Sequence, residues 1–180
     1  MKIYWEALKM EYCDIYDEHK KPLGIIRARK DNLLPGEFKL AVGVWVINKN
    51  REILLTKRHP NKNFAPNLWE NTGGHVMAGE RVTTSAVREL EEEIGIAATE
   101  EELIYIGCAK VSPYFGENYA LYRDIPVEEV ILQEGETCEA KWVTYEAFHN
   151  MIHAKELSPA TAEHFSFIRN AFETILLGKQ

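Results

Sequence analysis

The sequence predicts an α/β fold, with a mixed sheet covered by helices on both sides. Three observations carry that expectation. Residues 38–48 are the strongest strand signal in the chain and are apolar on both faces, as a central strand is. Further strand-type runs lie before and after it, while helical periodicity is confined to residues 83–94, 144–152 and the stretch behind Ser158. Strands and helices in that order pack as layers around one core. The length of 180 residues suits a single domain, 1–180. It divides into an N-terminal strand pair and loop (1–36), a core (37–153) and a C-terminal helix (154–180).

Taken in order, residues 11–30 read as a short strand pair. Tyr12, Asp14 and Tyr16 alternate with Cys13, Ile15 and Asp17, and Lys21-Pro22-Leu23-Gly24 supplies turn chemistry. Residues 33–37 read as a loop. After the central strand, Asn48-Lys49-Asn50 is a tight turn and 52–57 returns as a strand. Residues 59–67 are polar, contain two prolines and form a loop. A short strand at 69–71 is broken by Gly73-Gly74. Residues 83–94 are helical, and 103–111, 119–125 and 138–143 are strands. Thr144 caps a short helix through 152. Ser158-Pro159 opens the last helix as N-cap and first-turn proline. Its stripe of Phe165, Ile168, Phe172, Ile175 and Leu176 is expected to pack on the domain, with a second subunit, in a homodimer, as the alternative.

Composition excludes several classes. Hydrophobic residues make up 46% and charged residues 27%, an ordinary globular mixture. A net charge of -7 argues against non-specific nucleic-acid binding, which needs a basic face, but leaves room for a local phosphate site. Cys13, Cys108 and Cys138 show no metal-type spacing and read as reduced thiols. The opening run Met1-Lys2-Ile3-Tyr4-Trp5-Glu6 has no apolar stretch behind it, so no secretory signal is expected. No apolar run reaches the ~18 residues of a membrane span. A soluble, cytoplasmic protein is the expectation.

The chemistry concentrates in residues 74–96, GHVMAGERVTTSAVRELEEEIGI. On a helix at ~100° per residue, Ala86, Val87, Leu90 and Ile94 share a core-facing sector. Glu89, Glu92 and Glu93, spaced i, i+3 and i+4, share the neighbouring sector, Arg88 lies beside Glu92, and Glu91 projects into solvent. Three carboxylates on one face repel each other and tend to retain protons. A hard divalent cation such as Mg²⁺ or Mn²⁺ removes that conflict. A solvated acidic helix face is the plainer reading of any Glu-rich helix. The surrounding residues argue against it here: Gly73-Gly74 permits close backbone approach, Gly79-Glu80 leads into the helix with another carboxylate, and Gly95 ends it.

This segment resembles the Nudix box, Gly-x5-Glu-x7-Arg-Glu-U-x-Glu-Glu-x-Gly-U, with U a bulky aliphatic residue. Gly74, Glu80, Arg88, Glu89, Leu90, Glu92, Glu93, Gly95 and Ile96 fill every specified position. A chance match at this composition is roughly one in a million. The resemblance implies an α/β/α sandwich with a mixed sheet, and hydrolysis of a nucleoside diphosphate linked to another group. It implies metal ligation by Glu89, Glu92 and Glu93, helped by the carbonyl of Gly74 and by Glu80, with Arg88 orienting a glutamate by a forked hydrogen bond. Metal ions would neutralise the diphosphate, orient it and activate water. Glu89 is the first candidate for the general base. Glu117, Glu136 and Glu139 are rivals, although each taken alone reads as a surface residue.

Outside the box, Asp14 to Asp17, Pro22-Leu23-Gly24, Pro35-Gly36-Glu37, Trp69-Glu70-Asn71 and Gly73-Gly74-His75 are similar to the branch that includes isopentenyl-diphosphate isomerases. Those isomerases use a cysteine just before the box and a histidine-rich metal site. Here Asn71-Thr72-Gly73 stands where the cysteine would be and Lys39 where a histidine is expected, so hydrolysis ranks first and Glu117 is the isomerase's most telling leftover. A non-catalytic nucleotide-sensing module ranks lower, because such modules lose box glutamates. His75, Lys57 and Arg58 are weaker candidates for phosphate contact, and Trp69 and Phe64 for stacking on a base; exposure or packing is the plainer reading of each.

Overall fold

The computed structural model describes residues 11–178. The opening residues behind the no-signal expectation lie outside them. Strands β1 (Tyr12–Tyr16) and β2 (Pro22–Ala28) form an antiparallel hairpin. Its turn falls earlier than expected, at residues 17–21, because the Asp17 carboxylate accepts from the backbone N–H groups of both His19 and Lys21 at 2.9 Å. Pro22 to Gly24 therefore opens β2.

The main sheet contains β3 (Lys39–Ile47), β4 (Ile53–Arg58), β5 (Trp69–Glu70), β6 (Thr72–His75), β7 (Ile104–Val111), β8 (Tyr114–Tyr122) and β9 (Thr137–Val143). Its order is β5-β4-β3-β8-β7, with β6 on β3 and β9 on β4. The β3–β8 pair is parallel, from Lys39 opposite Tyr114 to Ile47 opposite Tyr122, and every other pair is antiparallel. The sheet is mixed, as expected. One strand differs: β8 begins at Tyr114, five positions before the predicted residue 119, because the register with β3 carries Gly116 and Glu117 into the sheet despite their low strand propensity.

Helices α1 (Val82–Ile94), α2 (Tyr145–His153) and α3 (Pro159–Leu177) complete the sandwich. Alternation along β3 divides the core between two faces. Val42, Val44 and Val46 meet Ala86, Leu90 and Ile94 of α1. Trp45 and Ile47 meet Phe148 of α2 and Phe165, Ile168, Phe172 and Leu176 of α3. Trp45 lies within 5.7, 5.9 and 4.9 Å of the rings of Phe148, Phe165 and Phe172. Each such burial contributes about 1.5–3 kcal/mol. The C-terminal stripe is thus buried against the chain's own sheet. On α1 the buried set is Ser85, Ala86, Leu90 and Ile94; Val87, expected in the core, is only partly covered.

The expected caps are in place. Thr144 Oγ1 accepts from the Ala147 N–H at 3.1 Å, and Ser158 Oγ from the Thr161 N–H at 3.2 Å. Gly95 ends α1 in the left-handed conformation (φ 67°), with its N–H on Glu91 O and the Ile96 N–H on Leu90 O. Among the described residues, no helix is long and apolar enough to cross a membrane.

Candidate active site

Helix α1 brings its acidic face to the edge formed by β6. Strand β6 pairs with β3 through Gly73 opposite Gly43 and Gly74 opposite Val42. At Gly74 a side chain is impossible without rearrangement: a Cβ would lie 2.2 Å from Glu89 Oε1. The glycine therefore leaves the space that the Glu89 carboxylate fills. One turn on, Glu93 Oε2 accepts from the Gly73 N–H at 3.1 Å. Glu89 and Glu93 are thus gathered against one short piece of backbone.

Glu92 is not gathered with them. It is 45% exposed and is held by Arg88. Among the described residues, no three His, Cys, Asp or Glu side chains converge on a point that could hold a metal ion. The Arg88 guanidinium instead lies among three of the acids. Nη1 donates to Glu89 Oε1 at 2.8 Å and to Glu92 Oε2 at 3.1 Å, and Nε donates to Glu80 Oε1 at 3.0 Å. Nη2 reaches His75 O, Glu80 Oε2 and Ser85 Oγ at 3.0–3.2 Å. Every donor of the guanidinium is used. Glu80 has both oxygens on this fork and also accepts from the Met77 N–H at 3.1 Å, so it holds Arg88.

Burial and mutual repulsion act together at Glu89 and Glu93. Burial, reinforced by the charges of Glu89 and Glu70, pushes the Glu93 carboxyl well above the usual range. Burial also raises Glu89, with the Glu92 charge adding to it and Arg88 opposing. For Glu80 the balance is reversed: burial works against its charge, but Arg88 and the Met77 N–H hold its pKa low. Two crowded carboxylates with all-oxygen donors, beside a backbone stripped of side chains, suit a hard divalent cation.

The remaining candidates are spread around this centre. His75, expected at an exposed loop, ends β6 instead and is largely enclosed, edge-on to Tyr114. Burial, with Arg29 and Lys39 nearby, lowers its pKa to about 4, so it is neutral at neutral pH. Lys57 pairs with Glu139 at 2.7 Å, and Arg58 grips both oxygens of Glu70 at 2.8 and 2.9 Å. Trp69 packs against the core under Lys141, and Phe64 is exposed beneath Arg58.

Glu136 pairs with Lys62, and its charge is felt at both Glu93 and Glu70. Glu117 corrects its reading as a surface residue. It is 4% exposed, pairs with Lys20 and accepts from the Tyr105 hydroxyl at 2.9 Å. It stands opposite Val42, whereas Gly73 stands opposite Gly43, so the two positions face opposite sides of the sheet.

Two contributors escaped the sequence reading. Ser85 bonds Arg88, and its place three residues ahead on the helix was a legible signal. Glu70 lies close enough to Glu93 to act on its charge. Only its position just ahead of Gly73-Gly74 hinted at that.

A NUDIX domain family model matches residues 37–169 of the chain. The chain is 30% identical over 155 residues to an uncharacterized Nudix hydrolase of Listeria monocytogenes, covering 83% of this chain and 89% of that protein. It is 28% identical over 129 residues to an isopentenyl-diphosphate Delta-isomerase of Salmonella arizonae, covering 71% of this chain and 63% of the isomerase. A crystal structure of a Deinococcus radiodurans protein superposes with a TM-score of 0.75 at 22% identity, covering 89% of this chain and 99% of that one; it shares the fold.

Proposed function

The chain belongs to the Nudix hydrolase family, and from that premise we propose that it hydrolyses the diphosphate linkage of a nucleoside diphosphate joined to another group, with Mg²⁺ or Mn²⁺. The observation that carries this reading is the pairing of Glu89 and Glu93 against the Gly73–Gly74 backbone, with Arg88 balancing the remaining acids. Glu89, Glu92, Glu93 and the Gly74 carbonyl would hold the metal. When bound, the cation neutralises the phosphates and orients them for in-line attack by water.

The chain's own residues do the rest. Glu89 is the first choice for the proton acceptor: it sits at the Gly74 backbone, and burial raises its carboxyl above the usual range. Glu136 is the loop rival, because its charge acts on Glu93, whereas Glu139 is paired with Lys57 and Glu117, although on the same face of the sheet as α1, is engaged by Lys20 and the Tyr105 hydroxyl. Arg88 pairs with both Glu89 and Glu92, and Glu92 stays on the exposed side.

An isomerase reading has the support of isomerase relatives. Three features weigh against it. A Cβ at Gly73 would meet Val42 O at 2.2 Å, which leaves no room for a thiol-bearing residue there. Lys39, where a histidine would stand, is 1% exposed and donates to the carbonyls of Ala28, Arg29 and Asp31 at 3.2, 2.8 and 3.2 Å. Its ammonium is a structural brace. Glu117, finally, lies on the wrong face of the sheet for the Gly73 position.

The test is a panel of nucleotide sugars, dinucleoside polyphosphates, nucleoside triphosphates and nucleotide coenzymes, with and without Mg²⁺ or Mn²⁺, read by phosphate release. Isopentenyl diphosphate is run alongside for its dimethylallyl isomer. Metal-dependent turnover is expected, reduced at least about 100-fold in Glu92→Gln and Glu93→Gln with the fold retained. Parent rates in both variants would remove the metal assignment. Isomerisation at enzyme-like rates would reverse the ranking. Tight nucleotide binding without turnover would indicate a sensor.

A further inference from the structure

The N-terminal hairpin precedes the matched region, yet a continuous line of hydrogen bonds joins it to the acidic face of α1. In the loop between β6 and α1, the Ala78 N–H donates to Tyr12 O and the Gly79 N–H to Asp14 Oδ2, each at 2.8 Å. Both central donors of the Met77–Glu80 turn are therefore satisfied by β1. The turn closes on itself through the Glu80 N–H on Met77 O at 2.9 Å and the Met77 N–H on Glu80 Oε2 at 3.1 Å. Glu80 then meets Arg88, and Arg88 meets Glu89 and Glu92. Gly79 adopts φ 77°, a conformation open to several arrangements at a glycine, so something outside the turn must select this one.

The hairpin is equipped to make that selection, because it is itself anchored to the sheet. Tyr16 and Phe38 exchange backbone hydrogen bonds at 2.9 and 2.8 Å, which ties the end of β1 to the start of β3. At the hairpin's turn, Lys20 pairs with the buried Glu117 of β8, and Lys110 Nζ of β7 donates to Glu18 O at 2.6 Å. This gives Glu117 a role that the proposed chemistry does not use.

We infer that Asp14 is a positioning residue for the metal-ligating glutamates, acting from the hairpin through Gly79, Glu80 and Arg88, with the Lys20–Glu117 pair holding the hairpin in place. The inference rests on the proposed metal site. Residues that orient ligands from behind influence metal affinity by about 10–100-fold. The loop bond needs an acceptor at 14 and does not need a charge, since an asparagine carbonyl can accept the same N–H.

The experiment measures Mn²⁺ binding, with Mn²⁺ as the sole probe, by the paramagnetic resonance signal of the free ion. The full chain is compared with Asp14→Ala, Asp14→Asn and Glu92→Gln, each also melted thermally. The expected result is binding at least about tenfold weaker in Asp14→Ala, near-parent binding in Asp14→Asn, and a melting temperature common to both. Parent-like binding by Asp14→Ala overturns the inference. Equal weakening in Asp14→Asn does so too, by tracing the effect to lost charge. If the parent binds Mn²⁺ no better than Glu92→Gln, the metal site itself fails and the inference falls with it, a pattern distinct from the first two.

Discussion

Replacing Gly74 with alanine separates the chemistry from the fold. Gly74 is not in the left-handed region, so its backbone accepts an alanine without torsional strain. The new methyl would lie 2.2 Å from Glu89 Oε1, 2.4 Å from Cδ and 2.7 Å from Oε2. Unstrained contacts need about 3.5 Å, so the carboxylate must retreat by about 1 Å. Moving it off its rotamer costs about 0.5–1.5 kcal/mol, and weakening the Arg88 bond adds a similar amount. The total, about 1–3 kcal/mol, lowers the melting temperature by about 2–12 °C in a domain of this size. Turnover suffers far more, because a displacement of about 1 Å at a reacting group costs about 100-fold. The assay is phosphate release from the best substrate of the panel across a Mg²⁺ titration, with a melting curve on the same sample. Turnover and Mg²⁺ dependence within twofold of the parent would refute the placement of Glu89.

Phe172→Ala, which empties a fully buried site beside Trp45, should lower the urea unfolding free energy by about 3–5 kcal/mol; a loss under 1 kcal/mol would contradict the packing. Ser158→Ala removes the acceptor for the Thr161 N–H and should cost about 1 kcal/mol in the same measurement, against no change if the cap is idle. Glu93 binds its proton more tightly folded than unfolded, so metal-free stability should fall as pH rises from the unfolded carboxylate range through the raised folded pKa. Glu93→Gln should flatten that decline and melt higher than the parent at pH 7 in chelator; a lower melting point there would count against the crowding of Glu89 and Glu93.

The parts legible in the sequence were those set by local pattern. Helix α1 and its end at Gly95, the caps at Thr144 and Ser158, and the two-faced apolar run of β3 depend on residues a few positions apart, and they came out within a residue or two. Long-range pairing was not legible. Nothing near Tyr114 announces that β8 begins there, because the partner that makes it a strand is Lys39 on β3. Glu117 looked like surface for the same reason: its burial depends on Lys20 and Tyr105, neither adjacent in sequence. In the site, spacing placed three glutamates on one side of α1. It could not show that Arg88 would divide them, which depends on how Glu80 and the His75 carbonyl fold back.

The side-by-side union of β3 with β8 has a bearing on the order of folding. Everything that makes up the candidate centre, from β6 through the whole of α1, lies between those two strands in the chain. Contacts between segments so far apart form late and slowly. In chain order the glutamates of α1 precede the strand that closes one flank of the centre. The centre is therefore enclosed on that flank by a strand that follows it in the chain.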